Sequence, residues 1–297
     1  MLRSLQEFLQ AKAVSDNTRR AYAQDLQLFQ RWSGASWEAV TPREVAAFKS
    51  YLEQQEDPLK RRSPATVRRI LSSLRSFYQW MVRSGYLDRN PSIAVDLPKL
   101  PDPKIDYLSD RQVAAIFQAA IAGKNLPERN VSLLWVLCHN LRASEVSALN
   151  YGDYDGMRLV IRQGKSGSHG VVPLGAEARN WLDVYLRLRE SEGELLDPLS
   201  PLFLSHSRQN KGERLGYGGI RKLMDGLSLV VGFKFHAHQF RHTYATNLVL
   251  KGMNPFHVMT LTRHQSSQNF RRYSKAAEQI AAEKAFYSAI GEAHPEG

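Results

Sequence analysis

Apolar and aromatic positions recur every three or four residues through most of this chain, the period of a helix that buries one face. Ser15-Asp16-Asn17-Thr18 supplies a cap, and Ala21, Tyr22, Leu26, Phe29 and Trp32 follow at helical spacing. Thr41-Pro42-Arg43-Glu44 predicts a second start, with Thr41 as cap, Pro42 at the first helical position and Glu44 closing a capping box. Val45, Phe48, Tyr51 and Leu52 form its apolar face. Ser63-Pro64 opens a third helix with the stripe Val67, Ile70, Leu71, Leu74, Phe77, Tyr78 and Met81, and Gly85 ends it. The pattern breaks over residues 90–107, where Pro91, Pro98, Pro101 and Pro103 favour an extended tether. Leu108-Ser109-Asp110 then restarts helical periodicity. Further on, the β-rich runs Met157–Arg162 and Val171–Leu174 flank the turn-forming stretch from Gly164 to Gly170, which predicts a hairpin with a wide tip. The expected fold is mainly α with a small β-sheet. A helical bundle with its linker occupies residues 1–104, and an α+β, mainly helical domain occupies 105–297.

Composition narrows the function classes. A hydrophobic share of 43% is enough for well-formed cores, and it argues against a disordered chain. The formal charge of +11 suggests an anionic polymer as partner. That excess is shared between both parts: residues 1–100 carry 16 Lys/Arg against 10 Asp/Glu. Both domains are therefore expected to touch the polyanion. The single cysteine, Cys138, follows the run Leu133-Leu134-Trp135-Val136-Leu137 and reads as a buried small hydrophobe. One cysteine forms no intrachain disulfide, which fits a reducing compartment. No apolar run reaches the length of a membrane span, so a cytoplasmic, nucleoid-associated protein without a membrane partner is expected.

The candidate chemistry is spread over the second domain. Arg142 and Arg241 offer planar guanidiniums that stay charged and match phosphate oxygens. Lys165, in the hairpin turn, can bring a proton to a leaving oxygen. Tyr273 can act as a nucleophile, although a free tyrosine titrates near a pKa of about 10 and needs charge or a base beside it. His238 and His264 can move protons or hydrogen-bond a phosphate. His236, His238 and His242 crowd together, but without cysteines or a dense carboxylate cluster, so no zinc is expected. There is no acidic constellation of a two-metal nuclease and no Gly-rich nucleotide loop. In the first domain Arg68, Arg69 and Arg75, preceded by Arg61 and Arg62, form the polar side of the third helix. Alone, such a face is usually solvated. With the catalytic set downstream, it is read as a DNA-binding face.

These stretches together resemble the tyrosine recombinases, the phage-integrase family, over almost the whole chain. Leu141-Arg142-Ala143-Ser144-Glu145-Val146 resembles the family's first-arginine motif, and His238-Gln239-Phe240-Arg241-His242-Thr243-Tyr244-Ala245-Thr246 is the most specific stretch. The resemblance, strongest toward the bacterial Xer branch, implies a SAM-like core-binding bundle and a catalytic domain clamped on duplex DNA. It implies an active site of Arg142, Lys165, His238, Arg241, His264 and Tyr273 with Glu145 as supporting acid. It also implies a 3′-phosphotyrosyl intermediate, no metal or cofactor, and four protomers on two DNA sites, as a homotetramer or with a second recombinase. The residues leave two rivals: a type IB topoisomerase-like enzyme that relaxes DNA, and a catalytically inactive DNA-binding relative.

The departures suggest a divergent member, of a kind expected on a mobile element. Asn140 stands before the first Leu-Arg where the family often has glycine, and asparagine tolerates the left-handed backbone such a turn needs. Arg263 stands before His264, where glycine is also usual. Ser168 and Gly170 replace basic residues of the hairpin. Residues 276–291 read as a helix after Tyr273 with Ile280, Ala281, Phe286 and Ile290 on its apolar side. In the family such a segment reaches the neighbouring protomer.

Overall fold

The computed structural model describes residues 2–54, 61–101, 106–162, 169–264 and 266–292. The chain divides into two compact units, Met1–Pro103 and Lys104–Gly297.

In the first unit, α1 (Leu2–Ala11), α2 (Asp16–Ser33), α3 (Pro42–Glu53) and α4 (Pro64–Arg83) form a bundle. Their starts follow local chemistry. Ser15 and Ser63 accept hydrogen bonds from the backbones of Thr18 and Thr66, and Thr41 and Glu44 close a capping box. Gly34 ends α2 at φ +66°; a Cβ there would meet nothing, so glycine serves the backbone conformation rather than the packing. The core is aromatic. Phe8, Phe29, Trp37, Phe48 and Phe77 are buried, with the Trp37 and Phe77 rings 4.5 Å apart and Phe29 edge-on to Phe48 at 4.9 Å. Trp37 enters this core from the α2–α3 loop, outside any helical stripe.

The second unit contains α5 (Asp110–Ala122), α6 (Pro127–Cys138), α7 (Ala143–Ala148), a 3₁₀ turn (Tyr151–Asp153), β1 (Arg158–Ile161), β2 (Gly170–Pro173), α8 (Ala176–Ser191), α9 (Tyr217–Val231), α10 (Ala237–Leu250), α11 (Pro255–Leu261) and α12 (Ser267–Ala289). Val131, Leu133, Leu134, Val136 and Leu137 of α6 are all buried. A helix apolar nearly all round belongs inside a core, and α6 packs against α5, α8 and α10. β1 and β2 pair antiparallel, with Leu159 opposite Val172 facing the core and Val160 opposite Val171 facing outward. The predicted hairpin is therefore present, and its tip, including Lys165, lies outside the described residues. Burial pushes the Cys138 thiol up to about 12, which leaves it unreactive at neutral pH. Among the described residues, no helix is long and apolar enough to cross a membrane.

The C-terminal helix differs from expectation. It begins at Ser267, upstream of Tyr273, so Tyr273 sits inside α12 rather than ahead of it. Loop signals between His264 and Tyr273 are weak, and the helix continues back through them.

Candidate active site

Arg142 occupies the N-cap of α7. Its backbone N–H donates to Glu145 Oε2 at 2.9 Å and its Nη1 to Glu145 Oε1 at 2.6 Å. Glu145 is almost wholly buried, whereas the Arg142 side chain stays 25% exposed. One carboxylate thus holds the arginine by both main chain and side chain and leaves part of its fork open. Asn140, just upstream, has φ +67°, so the turn that glycine usually makes is kept by asparagine.

Arg241 lies one turn into α10 and is fully buried. Its guanidinium donates to the carbonyls of Asn140 and Thr262, which ties α10 to the turns before α7 and after α11. Burial first, then the nearby Arg142, lowers its pKa to about 10, and Glu145 works against that shift. It therefore remains cationic at neutral pH.

Tyr273 projects from α12 into a small core with Ala245, Val258 and Phe270 and is itself fully buried. Its hydroxyl is 2.9 Å from Nδ1 of His242 on α10. The His264 ring lies 5.3 Å from the Tyr273 ring, and Thr262 Oγ1 hydrogen-bonds His264 Nδ1. His238, exposed at the start of α10, meets His242 edge-on at 4.3 Å. Arg142, Glu145, His238, Arg241, His264 and Tyr273 are thus assembled from α7, α10, the turn after α11, and α12. Lys165 lies outside the described residues.

Sequence reasoning missed two neighbours. His242 belongs to the most specific family stretch, but nothing in the sequence gives it a role. Its position next to Arg241 on α10 turns it toward α12, and no sequence signal marks that contact. Arg263, at φ +54°, occupies a left-handed conformation that costs a non-glycine residue about 1–2 kcal/mol. Its guanidinium is buried against Glu145 Oε2 at 2.7 Å. Burial by itself would raise the Glu145 carboxyl, but Arg263 and Arg142 hold it below its ordinary value. On the open side, Arg142, Arg221, Lys234, His236 and His238 line a cleft of about 530 Å³ with one acid, Asp225, beside Arg221, so the surface is basic on balance and suited to phosphates.

The arginines of the first unit do not act alike. Arg61, Arg62, Arg68 and Arg69 are exposed. Arg68 donates to the Pro98 carbonyl at 2.9 Å, and Arg69 pairs with the buried Asp25. Arg75, expected on the same DNA-facing side, is less exposed. It is partly buried, and its Nη2 donates to the Val95 carbonyl at 2.8 Å, fastening α4 to the following turn. Seven residues beyond Arg68, position 75 returns to the same face of α4, and both side chains reach carbonyls of the segment that follows the helix. Neutralising Arg68 and Arg69 is expected to lower the slope of log affinity against log salt by roughly 0.9 for each phosphate that is no longer neutralised. Arg75→Ala should instead lower thermal stability with little change in slope. Salt titrations of binding beside melting curves would expose the opposite assignment.

Comparison with known proteins gives one consistent result. The Phage integrase family model matches residues 106–279, and the model for the Phage integrase, N-terminal SAM-like domain matches residues 2–85. The chain is 32% identical to tyrosine recombinase XerD of Pseudomonas aeruginosa over 273 residues, covering 90% of this chain and 89% of the relative. It is also 32% identical to tyrosine recombinase XerC of Oceanobacillus iheyensis over 283 residues, covering 90% and 88%. In fold it resembles the Tn1549 transposon integrase in complex with circular intermediate DNA, at TM-score 0.72 and 16% identity, covering 93% of this chain and 97% of that one. A lambda integrase dimer bound to a COC′ core site gives TM-score 0.70 at 18% identity, covering 92% and 95%.

Proposed function

From the premise that this chain belongs to the phage integrase family and is a tyrosine site-specific recombinase, we propose that Tyr273 is the nucleophile through which it cuts and rejoins duplex DNA. The observation that carries the reading is the grouping of the Tyr273 hydroxyl with His242, His264 and Arg241, with Arg142 held by Glu145 at the edge of a basic cleft.

Each group has a role its chemistry suits. The Tyr273 oxygen attacks the scissile phosphorus, its proton passes to Nδ1 of His242, and the 5′ oxygen leaves, giving a 3′-phosphotyrosyl link. Arg142 and Arg241 neutralise the phosphorane, whose charge exceeds that of the ground state; this differential stabilisation lowers the barrier. His238 and His264 hydrogen-bond the non-bridging oxygens. Lys165 protonates the leaving 5′ oxygen. Attack by a 5′ hydroxyl from the partner duplex reverses these steps and completes strand exchange without a metal or cofactor. A nicked suicide substrate tests the reading, because the released fragment cannot religate and the adduct accumulates on Tyr273.

Lys165→Ala should slow cleavage of ordinary DNA, while a substrate with sulfur at the 5′-bridging position should restore it. A thiolate departs without a proton, so the missing acid no longer matters. Equal defects on both substrates would reduce Lys165 to positioning the phosphate.

Both units contact the DNA in this reading, with Arg61, Arg62, Arg68 and Arg69 serving in the first. Synapsis of two sites takes four protomers, of this chain alone or with a second recombinase, in the cytoplasm at the nucleoid. The distal part of α12 suits a protomer contact: Phe286 and Ile290 are 58% and 49% exposed on their own unit. Ala277 is buried, so a clean test truncates after Ala281 rather than at residue 277. That variant should bind a single site normally but fail to form the two-site complex in native gels. Normal synapsis would remove the coupling role.

A further inference from the structure

We infer that Arg263 is a positioning residue for Arg142, acting through Glu145. Its Nη2 donates to both Glu145 Oε2 at 2.7 Å and the Asn140 carbonyl at 3.1 Å, and its Nη1 donates to the Leu261 carbonyl at 3.2 Å. The same Oε2 of Glu145 accepts the Arg142 backbone N–H, and Oε1 accepts Arg142 Nη1. Arg263 therefore shares Oε2 with the Arg142 main chain and holds the carboxylate whose other oxygen takes the Arg142 guanidinium. The Asn140 carbonyl is shared with Arg241, so the same guanidinium also braces the turn leading into Arg142.

The surroundings suit this residue. Its side chain is 5% exposed, and its guanidinium is engaged by Glu145 and by the Asn140 and Leu261 carbonyls. Its stem lies against β2: a Cβ built on Gly170 would come within 3.2 Å of Arg263 Cδ. Glycine at 170 thus leaves the room that the arginine stem fills. A purely structural arginine would need only its carbonyl partners. Its charge-assisted bond to Glu145 directs it toward the residue that holds Arg142.

The inference rests on the proposed contact of Arg142 with the reacting phosphate. Its test uses the full chain and a double-mutant cycle. Arg263→Met keeps the stem and removes the guanidinium. It is expected to bind the recombination site normally but to cleave about 10- to 100-fold more slowly in a single turnover, the scale on which a misplaced catalytic group acts. On the Arg142→Ala background the same substitution should change the rate less than about twofold, because the residue it positions is gone. Arg263→Lys, which keeps the charge, should recover most of the missing rate. A wild-type rate for Arg263→Met overturns the inference, as does an undiminished effect in the double variant. If Arg263→Met does not fold, Arg263→Gly, which suits φ +54°, replaces it under the same criteria, and loss of folding by both leaves a structural role only. Should Arg142→Ala itself cleave normally, the phosphate role of Arg142 fails instead, so the two failures are separable.

Discussion

Tyr273→Phe is expected to abolish the covalent protein–DNA adduct while leaving site binding nearly unchanged. The substitution removes one oxygen from a side chain that is otherwise held by Ala245, Val258 and Phe270, so packing survives. The missing hydrogen bond to His242 costs about 1 kcal/mol of stability, small beside a reaction without its nucleophile. In the proposed reading binding depends on the basic cleft and the first unit's arginines, which the substitution leaves in place. Adduct trapping on a nicked substrate, beside gel-shift titration, measures both quantities. Adduct at wild-type yield in the Phe variant would move the nucleophile to another of the chain's 12 tyrosines.

Arg142→Ala and Arg241→Ala should both lower cleavage by about 10²–10³-fold, the range seen when one preorganised donor to a developing charge is removed. The structure separates their other consequences. Arg142 is partly exposed, and its main partner, Glu145, keeps Arg263 when the side chain is removed. Arg142→Ala should therefore fold with a nearly normal melting temperature. Arg241 is fully buried and satisfies the carbonyls of Asn140 and Thr262. Truncating it strands the buried Thr262 carbonyl at about 1–3 kcal/mol, while Arg263 still serves the Asn140 carbonyl, so Arg241→Ala should melt a few degrees lower. Single-turnover rates and thermal melts on the same preparations check the contrast. Equal melting temperatures would mean that the Arg241 carbonyl bonds contribute little, and a normal rate in either variant would assign that arginine to the scaffold.

Local order is the part most fully written in the residues. Ser15, Thr41, Ser63 and Ser109 cap the helices their spacing predicts, because capping depends on a side chain and a backbone only three residues away. The hairpin follows from alternation and turn chemistry of the same short range. Family motifs single out Arg142, Arg241, His238, His264 and Tyr273 from their order along the chain. None of that local information says what faces what across 100 residues. Arg75 reaches the Val95 carbonyl in the turn after α4. His242 meets the Tyr273 hydroxyl, because α10 packs beside a helix that begins before the tyrosine. Arg263 stands out in the sequence only as a side chain where glycine is usual. Its reason lies in Glu145, 118 positions upstream, and in the space above Gly170. Caps, stripes and turns are decided within a few residues, so the sequence by itself determines them. The partners of a buried charge are decided by which helices the core brings together, because burial makes an unpaired charge too costly to leave, and only the tertiary structure supplies that answer.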